Sequence, residues 1–374
     1  MRICNIIQCA NLGGMEKSSL TLLVELKARG HEVELLSLNP LEGLRPLLDK
    51  HSIPAEGLSY RGAGGWRSVS SFKSRLTKVD CDAILMTGHN LLATEALGGF
   101  KTGRRVLSIH FHHFGVKPRW MWSLIYRRAL TKFDSIAFPS DFIRAEAEAI
   151  FPAIRPIAHT IGCPVELFEP ATLAEKQRAR RSLGLPETAQ IVGNAGWLIR
   201  RKRFDTFLRV ARNVVSSNPD VLFAVAGDGP EHDNLRALAE RFGISHRIVW
   251  LGWQQDLTAF YQSLDVLLFN SDWDAMGRTP LEALSHGIPV VASVLHGGLT
   301  EIVDHQNYGP VFKSHDIDGL TDATCSILEH PKLASHLVGV GRRRLQQVAS
   351  VSGHADYVIG LLNGEGDQQR TGTA

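Results

Sequence analysis

The sequence predicts an α/β protein of two doubly wound domains in series, each a parallel sheet covered by helices. Three observations carry that expectation. Short apolar runs alternate with helix-length amphipathic segments almost throughout, as βαβ architecture requires. The 374 residues exceed what one hydrophobic core usually supports. The alternation breaks once, near residues 164–170, and then starts again.

In the first half the apolar runs place strands near 3–7, 32–36, 83–86, 106–109, 135–138 and 159–161. Helical periodicity covers 15–29, 91–98, 119–130 and 141–150. The stretch 42–71, rich in Gly, Ser, Pro and Arg, carries no clear period. The second series opens with a strand at 191–194 and a helix near 203–215. It continues with strands at 221–226, 248–251, 266–269 and 289–292, and helices at 231–242, 257–263 and 280–285. The ligands of such sheets bind at the carboxyl ends of the strands, so a cleft between two of them is the expected site.

Composition is that of an ordinary globular enzyme, 44% hydrophobic and 21% charged. No run reaches the roughly 18 apolar residues that a spanning helix needs. Residues 1–7 read as a first strand rather than a secretory signal. Five cysteines, without a C-x-x-C pair, suggest free thiols and no zinc site. The first 160 residues carry 21 Lys/Arg against 14 Asp/Glu, and the remainder 20 against 24. No acidic residue stands between Ala96 and Phe133. A basic block of this kind meets an anionic surface or forms a solvated face. Within it, 117–132 interleaves basic and aromatic residues at helical spacing. Trp120, Trp122 and Tyr126 suit a bilayer interface and the arginines suit phospholipid headgroups; a helix packed on the sheet is the competing reading.

The richest run is Asn270-Ser-Asp-Trp-Asp-Ala-Met-Gly-Arg-Thr-Pro-Leu-Glu-Ala-Leu-Ser-His-Gly287. Thr279 before Pro280 reads as a helix start, with Glu282 at the third helical position completing a capping box. Free N–H groups and the positive dipole end then follow Gly277-Arg278, where a phosphate would bind. Asp274 and Glu282 would flank that anion site. In the first half, Gly13 and Gly14 follow the first strand and let backbone approach a ligand closely. His110, with His112, ends a predicted strand, but no carboxylate or cysteine nearby completes a metal site.

From about residue 191 to 303 the chain resembles the family 4 retaining glycosyltransferases of the GT-B fold. The resemblance rests on an ordered run of motifs: Gly196-Trp-Leu-Ile-Arg-Arg-Lys202, Ala226-Gly-Asp-Gly-Pro-Glu231, Val249-Trp-Leu-Gly252, Asp274 to Glu282, and Gly287-Ile-Pro-Val-Val-Ala-Ser293 with Gly297-Gly-Leu-Thr-Glu301. In the first half it is confined to Asn11-Leu-Gly-Gly-Met-Glu-Lys17 and to His110. It implies two Rossmann-like domains facing a central cleft. Residues 1–165 would form the acceptor-side domain and 166–345 the nucleotide-sugar domain. A C-terminal helix at 346–363 would pack back on the first domain, and 364–374 would form a disordered tail.

The resemblance also implies roles. Lys202 and Arg201 would neutralise the leaving diphosphate, Asp274 would hold sugar hydroxyls, and His110 would sit below the reacting sugar. Glu282 would bind the ribose. Gly13, Gly14, Gly196, Gly227, Leu251, Met276, Gly277, Arg278 and Thr279 would line the donor. The donor would be a nucleotide diphosphate sugar, with UDP favoured, and the acceptor a glycan or lipid-linked hydroxyl in cell-envelope polysaccharide or glycolipid synthesis. No metal or other cofactor and no nucleic acid would be required. The enzyme would be cytoplasmic, with an anionic membrane surface open as a partner through 101–132. Three departures stand out: Asp274 for the usual glutamate, Trp197 for a common arginine, and Cys163-Pro-Val-Glu166 for Asn-Gly-Val-Asp.

Two rival functions remain. A dinucleotide-dependent oxidoreductase would share the architecture, but G-x-G-x-x-G is absent. A catalytically inactive scaffold would bind a nucleotide sugar without turnover. Nucleic-acid binding lacks any recognition motif.

Overall fold

The computed structural model describes residues 1–8, 13–41, 43–58, 66–76, 78–97, 103–110, 113, 117–304, 306, 308–312 and 316–365. They divide into two units. The first comprises Met1–Pro164 and the C-terminal stretch from Val351, and the second Val165–Ser350.

In the first unit the order is β1 (Arg2–Ile7), α1 (Gly14–Ala28), β2 (Glu32–Ser37), α2 (Arg45–Lys50), β3 (Ala55–Gly57), α3 (Trp66–Leu76), β4 (Ala83–Thr87), α4 (Leu91–Ala96), β5 (Arg105–Ser108), α5 (Arg119–Ala129), β6 (Ser135–Phe138), α6 (Asp141–Ile150) and β7 (Ala158–Thr160). The seven strands are parallel in the order β3-β2-β1-β4-β5-β6-β7. Buried on both faces, β4 reads as an apolar run and β1 as one interrupted by the buried Asn5, which is why the sequence located them. The stretch 42–71 without a period supplies α2, the edge strand β3 and the start of α3. These elements are too short and too polar to show one.

The second unit runs α7 (Leu173–Ser182), β8 (Ile191–Ala195), α8 (Phe204–Ser217), β9 (Leu222–Ala226), α9 (His232–Arg241), β10 (Ile248–Gly252), α10 (Thr258–Ser263), β11 (Val266–Asp274), α11 (Arg278–Ser285), β12 (Val290–Gly297), β13 (Val311–Phe312), α12 (Ile317–Glu329) and α13 (Pro331–Val348). Its six strands are parallel in the order β10-β9-β8-β11-β12-β13. The order reverses between β8 and β11, the switch point at which doubly wound sheets bind ligands. β11 continues five residues past its expected end at Phe269, and β12 runs on to Gly297. The two stay in register as far as Asp274 opposite Gly297. Hydrophobicity marked only the apolar start of each strand, whereas the ladder carries on through Asn270-Ser-Asp-Trp-Asp274 on β11 and Ser293-Val-Leu-His-Gly297 on β12.

The chain then returns to the first unit as α14 (Val351–Asn363), which packs on α1. Val358, Leu361 and Leu362 of α14 join Leu23 and Leu26 of α1 in one core. Arg29 donates to Ser352 O at 2.9 Å and pairs with Asp356, while His354 Nδ1 lies 2.8 Å from Ile161 O. A single helix expected over 346–363 is therefore two: α13 ends at Val348 and α14 starts at Val351. Gly364 and Glu365 close α14 with hydrogen bonds to Leu361 O and Gly360 O. The remainder of the expected tail, 366–374, lies outside the described residues, as do Asn11, Leu12 and His112. Among the described residues no helix is long and apolar enough to cross a membrane.

Candidate active site

The carboxyl ends of β8 and β11 carry the densest cluster of charged side chains proposed from the sequence. A 3-10 turn, Arg200–Lys202, follows β8. Lys202 Nζ pairs with the Asp274 carboxylate, and both side chains are largely buried. Lys202 Nζ also stands 5.2 Å over the Phe269 ring. The Arg201 guanidinium stacks 4.3 Å over Trp273 and donates to Trp273 O at 3.2 Å. Ser271 locks the corner, its Oγ donating to Trp273 O at 2.8 Å and lying 3.3 Å from Arg201 O. Arg203 takes a different role. It binds Asp205 at 3.0 Å and Asp272 at 3.1 Å, and these carboxylates, Asp205 first, hold its pKa above the ordinary value. Arg200 is exposed, 3.6 Å from Glu231.

The turn from β11 into α11 corrects one expectation. The helix begins at Arg278, and its N-cap is Gly277 at φ +77, a left-handed conformation that favours glycine. Thr279 does not cap: its hydroxyl donates to Ala195 O at 3.2 Å and ties α11 to the end of β8. Glu282 is one turn beyond Arg278 and makes an i,i+4 ion pair with Arg278 Nε at 2.6 Å. Its other oxygen, Oε2, accepts from Tyr261 Oη at 2.7 Å. The capping box expected here forms instead at Thr172 and Glu175, at the start of α7. Thr-x-x-Glu is common to both sequences, and the left-handed glycine shifted the helix start at α11.

The ends of β8, β9 and β10 are bound to one another through their glycines. Gly196 N donates to Ala226 O at 2.9 Å and Gly227 N to Gly252 O at 2.8 Å. Leu251 O accepts from Gln254 Nε2 at 2.7 Å, and Met276 is buried. Trp197 and Trp253, 55% and 48% exposed, meet edge to face at a centroid distance of 6.5 Å. Trp253, Trp273 and Tyr261 were missed by sequence reasoning. Tyr261 lies in a short amphipathic helix, where an aromatic residue reads as core.

Three candidates lie in the first unit. Gly13 is the N-cap of α1, with its oxygen accepting from Lys17 N at 3.0 Å, and the neighbouring Glu16 is buried. Gly14 opens the helix, and its oxygen accepts from Ser18 Oγ at 3.0 Å. His110, two residues beyond β5, has Nε2 2.8 Å from Ser108 Oγ. The aromatic segment 117–132 is corrected in part. Trp122 and Tyr126 are fully buried, in a cluster with His113 and His89, and so cannot face a bilayer. Trp122 Nε1 donates to His113 O at 2.9 Å, and burial, with Lys117 and His113 nearby, lowers the His89 pKa to about 4. The outer face of α5 presents Arg119, Trp120, Leu124, Arg127 and Arg128. Among the described residues no group of three or more His, Cys, Asp or Glu could hold a metal ion.

Two Rossmann-like units, each on a parallel sheet, with cations and a helix start gathered at the switch point of the second, place the chain among the doubly wound α/β proteins. The family model for glycosyl transferases group 1 matches residues 175–344, and that for glycosyltransferase family 4 matches 12–168. The chain belongs to the family 4 glycosyltransferases and has the GT-B fold. It is 31% identical over 183 residues to the lipopolysaccharide core biosynthesis glycosyltransferase LpsE of Rhizobium meliloti, a match covering 49% of this chain and 52% of the relative. Against the GDP-mannose-dependent monoacylated alpha-(1-6)-phosphatidylinositol monomannoside mannosyltransferase of Corynebacterium glutamicum it is 25% identical over 276 residues, 70% of each chain. The match with LpsE thus spans about half the length of that relative. The crystal structure of Anabaena HepE in complex with UDP and glucose superposes with a TM-score of 0.86 at 18% identity, covering 97% of this chain and 100% of HepE.

Proposed function

We propose that this glycosyltransferase moves a sugar from a nucleoside diphosphate sugar, UDP-linked, to a hydroxyl of a glycan or lipid-linked acceptor, keeping the anomeric configuration. The observation that carries the reading is the convergence of Arg201, Lys202, Asp274, Arg278 and Glu282 around the β8 and β11 ends. Cations and helix N–H groups there suit a diphosphate, and a carboxylate one turn into the helix suits the ribose hydroxyls.

In the reaction the bond from the sugar C1 to the β-phosphate oxygen breaks, and a bond from C1 to the acceptor oxygen forms on the same face. The acceptor proton passes to the departing phosphate. Negative charge grows on that phosphate, so fixed cations stabilise the transition state more than the ground state. Lys202 and Arg201 supply this charge, so the reading needs no metal. Asp274 holds sugar hydroxyls.

Envelope polysaccharide or glycolipid synthesis on the cytoplasmic side is the proposed setting. LpsE is named for lipopolysaccharide core synthesis and the Corynebacterium enzyme for a phosphatidylinositol mannoside acceptor. The relatives differ in donor, with UDP and glucose in the HepE structure and GDP-mannose named for the Corynebacterium enzyme. A thermal-shift panel with UDP, GDP, ADP and NAD(P) separates them. Stabilisation of several degrees by UDP, lost in Glu282→Ala, is expected. A shift with NAD(P) alone would overturn the assignment.

The outer face of α5 would rest on anionic lipid, with Trp120 at the interface and Arg127 and Arg128 among headgroups. Flotation with phosphatidylglycerol liposomes should recover the wild type and lose most of an Arg127→Glu/Arg128→Glu variant. Equal recovery from neutral and anionic liposomes would end the membrane reading.

A further inference from the structure

We infer that Tyr261 is the positioning residue that holds Glu282 in place for the ribose hydroxyls of the donor, with His286 and Phe168 fixing Tyr261 from behind. The inference rests on the ribose role of Glu282 proposed above and adds what keeps that carboxylate still.

Tyr261 is 1% exposed, so its hydroxyl has no access to bulk water, and it donates to Glu282 Oε2 at 2.7 Å. A phenol sealed against a carboxylate makes a charge-assisted hydrogen bond, stronger than a neutral one. Burial and the adjacent Glu282 push the phenol pKa well above its usual range, so it remains a donor. Arg278 Nε takes the opposite oxygen at 2.6 Å. A carboxylate offers about four lone-pair directions. With one protein donor on each oxygen, each keeps a second direction, which suits two neighbouring hydroxyls.

The two protein donors are not equivalent. Arg278 is the first residue of α11, beside the N–H groups that face an arriving diphosphate. An anion there competes with Glu282 for its guanidinium. Tyr261 has no such competitor. It is packed against His286, ring centroids 5.3 Å apart at 21°, and His286 against Phe168, 4.3 Å apart at 7°. Burial lowers the His286 pKa, which keeps the middle ring neutral. Phe168 is held in turn, its N–H donating to Ser285 O at 3.2 Å and its oxygen accepting from Arg342 at 2.6 Å. When the diphosphate draws Arg278 away, the Tyr261 hydroxyl is what still orients Glu282.

The test is Tyr261→Phe, which removes one oxygen and keeps the ring stack. Isothermal titration compares UDP with 2′,3′-dideoxyuridine diphosphate, with the GDP pair in parallel. The variant should bind the ribonucleotide about tenfold more weakly than wild type and the dideoxy analogue equally well, with KM for the sugar donor raised and kcat kept. His286→Ala should show a smaller loss with the same dependence on the ribose hydroxyls. Unchanged affinity for the ribonucleotide, or an equal loss for both nucleotides, overturns the inference and leaves the transferase reading standing. If the wild type itself binds both nucleotides alike, the ribose role of Glu282 falls, and this inference with it.

Discussion

Lys202→Met is expected to slow release of nucleoside diphosphate by about two to three orders of magnitude, the usual cost of removing one preorganised group aimed at developing charge. The side chain is positioned by its own surroundings: Asp274 on one side, the Phe269 ring beneath, and a 3-10 turn that leaves little backbone freedom. The ion pair keeps both groups oriented. In the proposed reaction a diphosphate takes over from Asp274 as the partner of Lys202, and Asp274 turns to the sugar hydroxyls. Methionine keeps the length and the contact with Phe269 but leaves the Asp274 charge uncompensated, and Asp274 is only 17% exposed. Some stability should go with it, about 1–3 kcal/mol. Lys202→Met/Asp274→Asn separates the two effects, because it should recover the melting temperature and none of the turnover. A single variant turning over within about threefold of wild type would remove Lys202 from the chemistry.

The order of elements was legible because parallel strands buried on both faces must be apolar, and the helices between them must alternate. The glycines at 196, 227 and 277 entered through the family resemblance, and the structure gives each a positive φ. What stayed hidden depended on tertiary partners. Thr279 and Glu282 carry a capping-box spacing, yet Ala195 O and Tyr261 outcompete the cap for them. Trp122 and Tyr126 looked interfacial beside so many arginines. The polar atoms that let them be buried, His113 O and the His113 ring, lie 9 and 13 residues earlier in the chain, outside the helix whose period was read. Tyr261 gave no signal, since a hydroxyl aimed at a carboxylate 21 residues away has no signature in local periodicity. Asp272 likewise reads as a loop acid, whereas it forms an ion pair with Arg203 at the start of α8. A run of buried residues along a strand can be read from a sequence, whereas the one distant atom that a side chain bonds cannot.

Gly227→Ala is the largest structural effect expected, and it links that backbone argument to the donor site. Gly227 has φ +154, and a Cβ there would lie 1.9 Å from Gly196 O. Gly196 in turn donates to Ala226 O, and Gly227 to Gly252 O, so one methyl group pushes on the ends of β8, β9 and β10 together. The atom it meets is backbone, which cannot rotate away as a side chain would. Relieving the overlap means parting the strand ends by more than about 1 Å, in packing that tolerates little strain. A loss of about 3–4 kcal/mol is expected, at the upper end for a single substitution, read as a lower urea midpoint at unchanged slope. Nucleotide affinity should fall as well, because the displaced loops carry Trp197, Leu251 and Trp253. Gly243→Ala is the control. Its φ is +71, but an added Cβ meets nothing within 4 Å. Only the conformational cost of about 1–2 kcal/mol should appear there, with nucleotide binding intact. Equal losses in the two variants would reduce Gly227 to an ordinary left-handed glycine. A larger loss at 227, together with weakened nucleotide binding, would mean that close backbone contact between β8 and β9 sets the geometry of the donor site.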